Sequence, residues 1–372
     1  MTPSGSFERN TVLRRYWYAV ATEDDIRDGP VARTLLGERI VVFRARDGEP
    51  VALPDSCPHR NSPLSPGTAA GGRITCPYHG WTFDSDGTCV LVPSAQEGAR
   101  IPPTAHLRPY RAAGRYGLVW VALDEPADGI PACTFDGDPG YRRITGPMSV
   151  WSASATRIVD NFLDISHIPW VHQGTFGSTA RRDVPLFQLR DVGDGFHGYC
   201  FEVTAANLGV AATTTRQPGE VIRRTMTVGY RLPFAIRTTI RYDDGLEHNL
   251  YLLTTPIDDV TSYLSFVVWR KDDFTAPAEE VIALDLAIAA EDKAMLERIP
   301  GPLPLDSAGT VSVQSDRASV AWRRQLAALL DGSPPGFGAR STDLEAIDGI
   351  APLPVGPHPA TVDARGAPSG RR

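Results

Sequence analysis

Two short ligand loops constrain this chain more than any other feature. Cys57-Pro58-His59 and Cys76-Pro77-Tyr78-His79 each offer one thiolate and one imidazole, with 16 residues between His59 and Cys76. Four such donors can hold a zinc ion, but zinc loops usually pair Cys with Cys and His with His. The alternating order suits a [2Fe–2S] cluster in which two thiolates take one iron and two imidazoles the other. The flanking chain reads as short strands. RIVVFRA, EPVALP, RITCPY, GWTFDSDG and GLVWVAL are separated by Gly, Pro and Asp, which predicts an all-β module over 14–123.

Beyond it, a Pro- and Asp-rich stretch at 124–140 reads as a linker, and a second module is expected over 141–335. Its first helix is predicted from Thr156 to His167, stopped by Pro169. Alternating β-branched and polar residues from His197 to Trp269 predict a meandering antiparallel sheet. A long helix is expected from Ala278 to Arg298, with Val281, Leu284, Ile288, Met295 and Leu296 on its apolar stripe. Another is expected from Ser315 to Leu330, and 336–372 reads as a loose C-terminal loop and tail.

The second module carries Asn161-x-x-Asp164-x-x-His167-x4-His172. On a helix, 161, 164 and 167 share one stripe, and a break near Pro169 lets His172 swing back beside His167. Oxygen-activating non-haem iron takes two histidines and one carboxylate on one face, leaving positions open for O2 and substrate. The carboxylate must come from elsewhere. Asp292 sits in the apolar stripe of the long helix, where an acid is costly unless paired or metal-bound. Asp285 shares that face and Glu291 is adjacent, so periodicity alone does not choose among the three.

The words CPHR and CPYHGWTF resemble the Rieske domains of aromatic-ring-hydroxylating oxygenases. From about Arg14 to Leu330 the chain resembles the oxygenase components of the Rieske O- and N-demethylases, the group of the vanillate, dicamba and caffeine demethylases. The resemblance implies an α+β architecture: an N-terminal all-β Rieske domain, then a helix-grip (START-like) catalytic domain with an antiparallel sheet. It implies cluster ligands Cys57, His59, Cys76 and His79, and mononuclear Fe(II) on His167, His172 and Asp292, with a Glu matching Glu297. It further implies that Asn161 lies beside the iron and that Asp164 bridges a cluster histidine of one subunit to an iron-ligand histidine of the next. Arg298 and Ile299 depart from the family's pattern without touching a ligand. A head-to-tail homotrimer follows from the resemblance, as does O2 as co-substrate, with NAD(P)H electrons arriving through a flavin reductase or ferredoxin.

Neither loop carries the extra cysteine that lets respiratory-complex Rieske proteins clamp their loops with a disulfide, which points to the lower end of the Rieske potential range. The other cysteines, Cys89, Cys133 and Cys200, read as reduced and structural. A net charge of −7 argues against a nucleic-acid surface. No N-terminal stretch reads as a signal peptide and no run approaches a membrane span, so the expected compartment is the cytoplasm. The expected activity is monooxygenation of a small, largely apolar ring compound, with demethylation where the oxidised carbon is a methyl on nitrogen or oxygen. Ring cis-dihydroxylation uses the same ligands, and an electron carrier with an inactive second module is the alternative of another class. Cys57→Ser or His79→Ala is expected to abolish the red-brown Rieske absorption and all turnover. Retention of that spectrum in either variant would favour zinc.

Overall fold

The computed structural model describes residues 7 and 10–333, apart from 97, 180–181, 273–274 and 307–308. Among these, the expected strands of the first module form three small sheets. β1 (Tyr18–Thr22), β2 (Val31–Leu35), β3 (Glu38–Arg44) and β4 (Pro50–Pro54) are followed by β5 (Thr68–Ala70), β6 (Arg73–Thr75), β7 (Thr82–Phe83) and β8 (Cys89–Leu91), then β9 (Arg111–Arg115) and β10 (Leu118–Ala122). They pair as β1-β10-β9, β2-β3-β4 and β5-β6-β7-β8. Val41, Phe43, Leu53, Ile74 and Phe83 pack into one core beneath the two Cys/His loops.

The rest of the chain adds β11 (Arg142–Thr145), β12 (Ser149–Trp151), α1 (Ala155–Leu163), α2 (Ile168–Val171), β13 (Arg190–Gly193), β14 (Phe196–Ala206) and α3 (Val210–Thr215). Then come β15 (Val221–Arg231), β16 (Ala235–Tyr242), β17 (Glu247–Pro256), β18 (Ser262–Lys271), α4 (Ala278–Val281), α5 (Ala283–Leu296) and α6 (Arg317–Leu330). Strands β14 to β18 form an antiparallel meander, extended by β13 at one edge and by β11 and β12 at the other. Because side chains alternate across a strand, the register puts Phe201, Met226, Ile240, His248 and Arg270 in one row across β14 to β18. Helix α1 packs on this face, burying Ile158, Val159 and Leu163, and α6 packs against it through a core that includes Trp322 and Leu326. That core also takes in Val20, Ile40 and Val119 of the first module, so the two modules share buried surface.

Three helix expectations need correction. The first helix ends at Leu163, four residues short of His167, and Asp164 is already extended (φ −87, ψ 138). Its own carboxylate causes the exit: it accepts from the backbone N–H and hydroxyl of Ser166 (2.8 and 2.7 Å) and from the backbone N–H of His167 (3.0 Å). A side chain that satisfies backbone donors in this way competes with the helix. Pro169 therefore ends nothing; it lies in the first turn of α2, where its missing N–H costs little. The long helix is interrupted at Ile282, and the bend lets the adjacent Val281 and Ile282 enter the same core. Met295 is not on the buried stripe but 45% exposed, since it lies about 100° round the helix from Leu296. The stretch at 124–140 has no strand or helix, yet it is fastened: Tyr116 and Tyr251 donate to the carbonyls of Pro131 and Ala132. The expected tail at 336–372 lies outside the described residues.

Ser154 caps α1 by accepting from the Arg157 N–H at 3.3 Å and is itself buried. Ser154→Ala is expected to lower stability by about 1 kcal/mol, read as a lower urea midpoint at unchanged slope.

Candidate metal centres

The two Cys/His loops repeat one backbone pattern. The Cys57 carbonyl accepts from Asn61 N–H (2.8 Å) and the Cys76 carbonyl from Gly80 N–H (3.0 Å). Cys57 N–H donates to the Ser62 carbonyl and Cys76 N–H to the Trp81 carbonyl, both at 2.8 Å. Asn61 and Gly80 close the turns with φ 55 and 72, a region that favours these two residue types. The thiols are buried and the imidazoles lie toward the surface. His59 Nδ1 and His79 Nδ1 face each other at 3.2 Å, and Trp81 stacks on His59 at 4.6 Å. Burial pushes the Cys57 thiol up to about 11, and the neighbouring Cys76 adds to the shift, so thiolates there need a bound cation. Two thiols inside and two imidazoles outside match the donor set of a Rieske cluster.

Beneath the loops, Asp55 is 3% exposed. It accepts from Leu64 N–H (2.7 Å), Ser65 N–H (2.8 Å) and the Ser65 hydroxyl (2.9 Å), and pairs with Arg39 at 3.1 Å. This network ties the first loop to β3.

The second set of donors converges from two elements. His167 and His172 flank α2 as its two caps, and Asp292 faces inward from α5 at 2% exposure. His167 Nε2 lies 3.1 Å from His172 Nε2, and Asp292 Oδ1 lies 3.5 and 3.3 Å from the two nitrogens. First-row metal–imidazole bonds of roughly 2.1 Å place adjacent donors about 3 Å apart, so the spacing fits a single ion. Among the described residues this is the group of three donors that closes within 4.8 Å. Two histidines and one carboxylate form the facial set suited to non-haem iron.

Outer hydrogen bonds fix each donor. Asn161 Nδ2 donates to Asp292 Oδ1 at 3.0 Å. Asp164 Oδ2 lies 3.3 Å from His167 Nδ1, and Glu291 Oε2 lies 2.9 Å from His172 Nδ1 while accepting from the Thr175 hydroxyl at 2.8 Å. Burial disfavours a charged His172, but Asp292 and then Glu291 outweigh it and hold its pKa above the usual histidine value. A site that draws a proton onto imidazole has the negative charge to hold a cation. Burial would raise Asp164, yet His167 and the Ser166 donors bring it below the usual carboxylate value.

The three acids that periodicity left level thus separate in space. Asp292 faces both imidazoles, Glu291 backs His172, and Asp285 lies 3.2 Å from His248. Glu297 caps the end of α5 and accepts from Ser152 N–H at 2.9 Å. Sequence reasoning missed the backing role of Glu291, and it missed His248 altogether. The signal for His248 was a polar residue at an inward position of β17, followed at the next two inward positions by Leu250 and Leu252.

The donors open on a cavity of about 1050 Å³, including its solvent-open mouth. Phe162, Phe176, Phe201, Met226, Ile240 and Leu250 give it largely apolar walls. Phe176 also stacks on His172 at 5.2 Å. No helix among the described residues is long and apolar enough to cross a membrane.

Two family models match the chain: the Rieske [2Fe-2S] domain over residues 16–110 and the vanillate O-demethylase oxygenase C-terminal domain over 151–332. The chain is 31% identical over 346 residues to methylxanthine N1-demethylase NdmA of Pseudomonas putida, covering 90% of this chain and 94% of that one. It is 36% identical over 174 residues to the oxygenase component of dicamba O-demethylase of Stenotrophomonas maltophilia, covering 46% and 50%. The solved structure of Pseudomonas putida NdmA with caffeine matches at a TM-score of 0.75 and 30% identity, over 87% of this chain and 93% of that one. Dicamba monooxygenase bound to dicamba matches at 0.73 and 25% identity, over 86% and 98%. With both donor sets in place on this fold, the chain belongs to the Rieske non-haem iron oxygenases, enzymes with a [2Fe-2S] cluster and a mononuclear iron, among the oxygenase components related to the O- and N-demethylases.

Proposed function

We propose that this chain hydroxylates, or O- or N-demethylates, a small and largely apolar ring compound, with Cys57, His59, Cys76 and His79 holding the cluster and His167, His172 and Asp292 holding Fe(II). The observation that carries the reading is the convergence of those three donors on the wall of a mainly apolar cavity. Names among the relatives support it: a methylxanthine demethylase, a dicamba O-demethylase and a toluene-4-sulfonate monooxygenase iron-sulfur subunit.

When bound, the mononuclear iron supplies reductive O2 activation with electrons relayed by the cluster. The protein's own part is placement. His167, His172 and Asp292 would hold the iron at the wall of the cavity. Asn161 keeps Asp292 Oδ1 turned toward the histidines, and Asp164 and Glu291 fix the ring orientations from behind, as metal-bound histidines require. The apolar walls exclude water and hold a ring by burial. A methyl hydroxylated next to oxygen or nitrogen then leaves as formaldehyde, which is net demethylation.

Electrons come from a separate flavin reductase or ferredoxin, in the cytoplasm. The working assembly is a head-to-tail homotrimer in which His79 of one copy approaches Asp164 of the next. Its support is the exposure of Tyr78 (64%) beside the cluster loops and of Trp170 (56%) beside the histidine pair, two aromatic surfaces that a neighbouring copy would cover.

Iron counting tests the ligand assignment. The chain should carry about three Fe, two in the cluster. Asp292→Ala should lose the third iron and turnover with the cluster spectrum intact, Glu291→Ala should weaken that iron roughly 10- to 100-fold, and Asp285→Ala should keep it. Loss of the third iron in Asp285→Ala but not in Asp292→Ala would put the wrong acid at the metal.

A second test concerns Asp164. Asp164→Asn keeps the volume but replaces an acceptor oxygen with a donor amide, which cannot serve two imidazole N–H groups. This variant should keep both metals and accept electrons at the cluster, yet leave the cluster reduced after rapid mixing with substrate and O2. Normal cluster reoxidation and product yield would make Asp164 a structural partner of His167 only.

A further inference from the structure

Arg224 is the unmatched charge of the cavity. It projects from β15 on the inward row that also holds Val203 and Tyr242, lines the cavity, and is 3% exposed. Its Nε and Nη2 have no hydrogen-bond partner among the described residues. The other buried arginines are engaged. Arg237 pairs with Asp194 at 2.8 Å, Arg270 with Asp272 at 2.5 Å and with the Thr214 carbonyl at 2.5 Å, and Arg323 donates to the Ser312 hydroxyl at 3.0 Å.

An arginine cannot shed its proton to ease burial, and an uncompensated buried charge is costly. The acids that line the cavity lie against other groups: Asp285 3.2 Å from His248 without a hydrogen bond between them, Asp292 against Asn161 and the histidine pair, and Asp164 against His167 and Ser166. What holds the guanidinium is an aromatic face. Its carbon lies 4.6 Å over the Phe176 ring, and Phe176 stacks in turn on His172. One aromatic ring therefore separates the unpaired fork from an iron-site histidine.

We propose that Arg224 is a specificity-determining residue that receives a carboxylate on the substrate, making this chain selective for small aromatic acids over their neutral counterparts. The planar fork matches a carboxylate with two parallel hydrogen bonds, and the apolar walls take the ring. This rests on the oxygenase reading for the identity of the cavity as the substrate site, but binding alone can test it.

Isothermal titration calorimetry on the metal-loaded full chain would compare benzoate, 4-methylbenzoate and 4-methoxybenzoate with the corresponding neutral amides. Each acid should bind about tenfold more tightly than its amide, the scale of a charge-assisted pair. Arg224→Met should erase that preference by weakening the acids while leaving the amides nearly unchanged. Arg224→Lys, which keeps the charge but loses the fork, should fall between. If Arg224→Met loses its cluster spectrum through misfolding, the wild-type ratios and Arg224→Lys decide. Acid-to-amide ratios near one in the unaltered protein, binding by none of the acids, or equal losses for acids and amides in the variants would overturn the proposal. An iron content near two per chain would instead overturn the oxygenase reading, and the calorimetric ratios would still be scored by themselves.

Discussion

A carboxylate 2% exposed in the middle of α5 is the constraint from which the rest of the catalytic module follows. Asp292 would be expensive there without partners, and its partners come from far along the chain. Asn161 reaches it from α1, and His167 and His172 from the two ends of α2. Bringing these elements together requires α1 to lie on the inner face of the sheet and α5 to close over it. The early exit of the chain at Asp164 is part of the same solution. A helix continued to His167 would fix both histidines by helical spacing, whereas the Asp164 turn frees α2 to present its two caps to one point.

The outer shell explains why the inner one can hold its shape. Each imidazole has an acid behind it, Asp164 for His167 and Glu291 for His172, so both rings keep their Nε2 atoms toward Asp292. The N-terminal module reaches rigidity by repetition. Two loops with the same pair of backbone bonds and a left-handed closing residue each, Asn61 and Gly80, bury their thiols and leave their imidazoles toward the surface. That arrangement gives the loops a polarity, with sulfur toward the core and the histidines toward whatever docks there.

The cavity shows how one fold serves different substrates. A scaffold that matches both a methylxanthine demethylase and a dicamba monooxygenase leaves selectivity to the side chains on its inner rows. Here those rows are largely apolar, and their polar members include His248, which faces Asp285 of α5, the engaged Arg270, Thr238 and Arg224.

The sequence by itself determined the chemistry of the first centre, because both of its loops are local and their order of Cys and His is a statement about ligands. It determined the strand meander through its alternation, and it singled out His167 and His172, although it set the helix break at Pro169 and not at Asp164. It did not choose among Asp285, Glu291 and Asp292, since a helical period reports which face a residue occupies and not what stands opposite. Family resemblance chose Asp292; tertiary structure put a different histidine environment against each of the three acids. It also placed the helix break at Asp164, where side-chain hydrogen bonds to the backbone outcompete the helix, and it left Arg224 without a partner. The convergence of Asn161 on Asp292 and of His172 on Glu291 depends on contacts between residues more than a hundred positions apart, which only folding brings together, whereas the Asp164 break is local but is decided by side-chain hydrogen bonds that periodicity does not report.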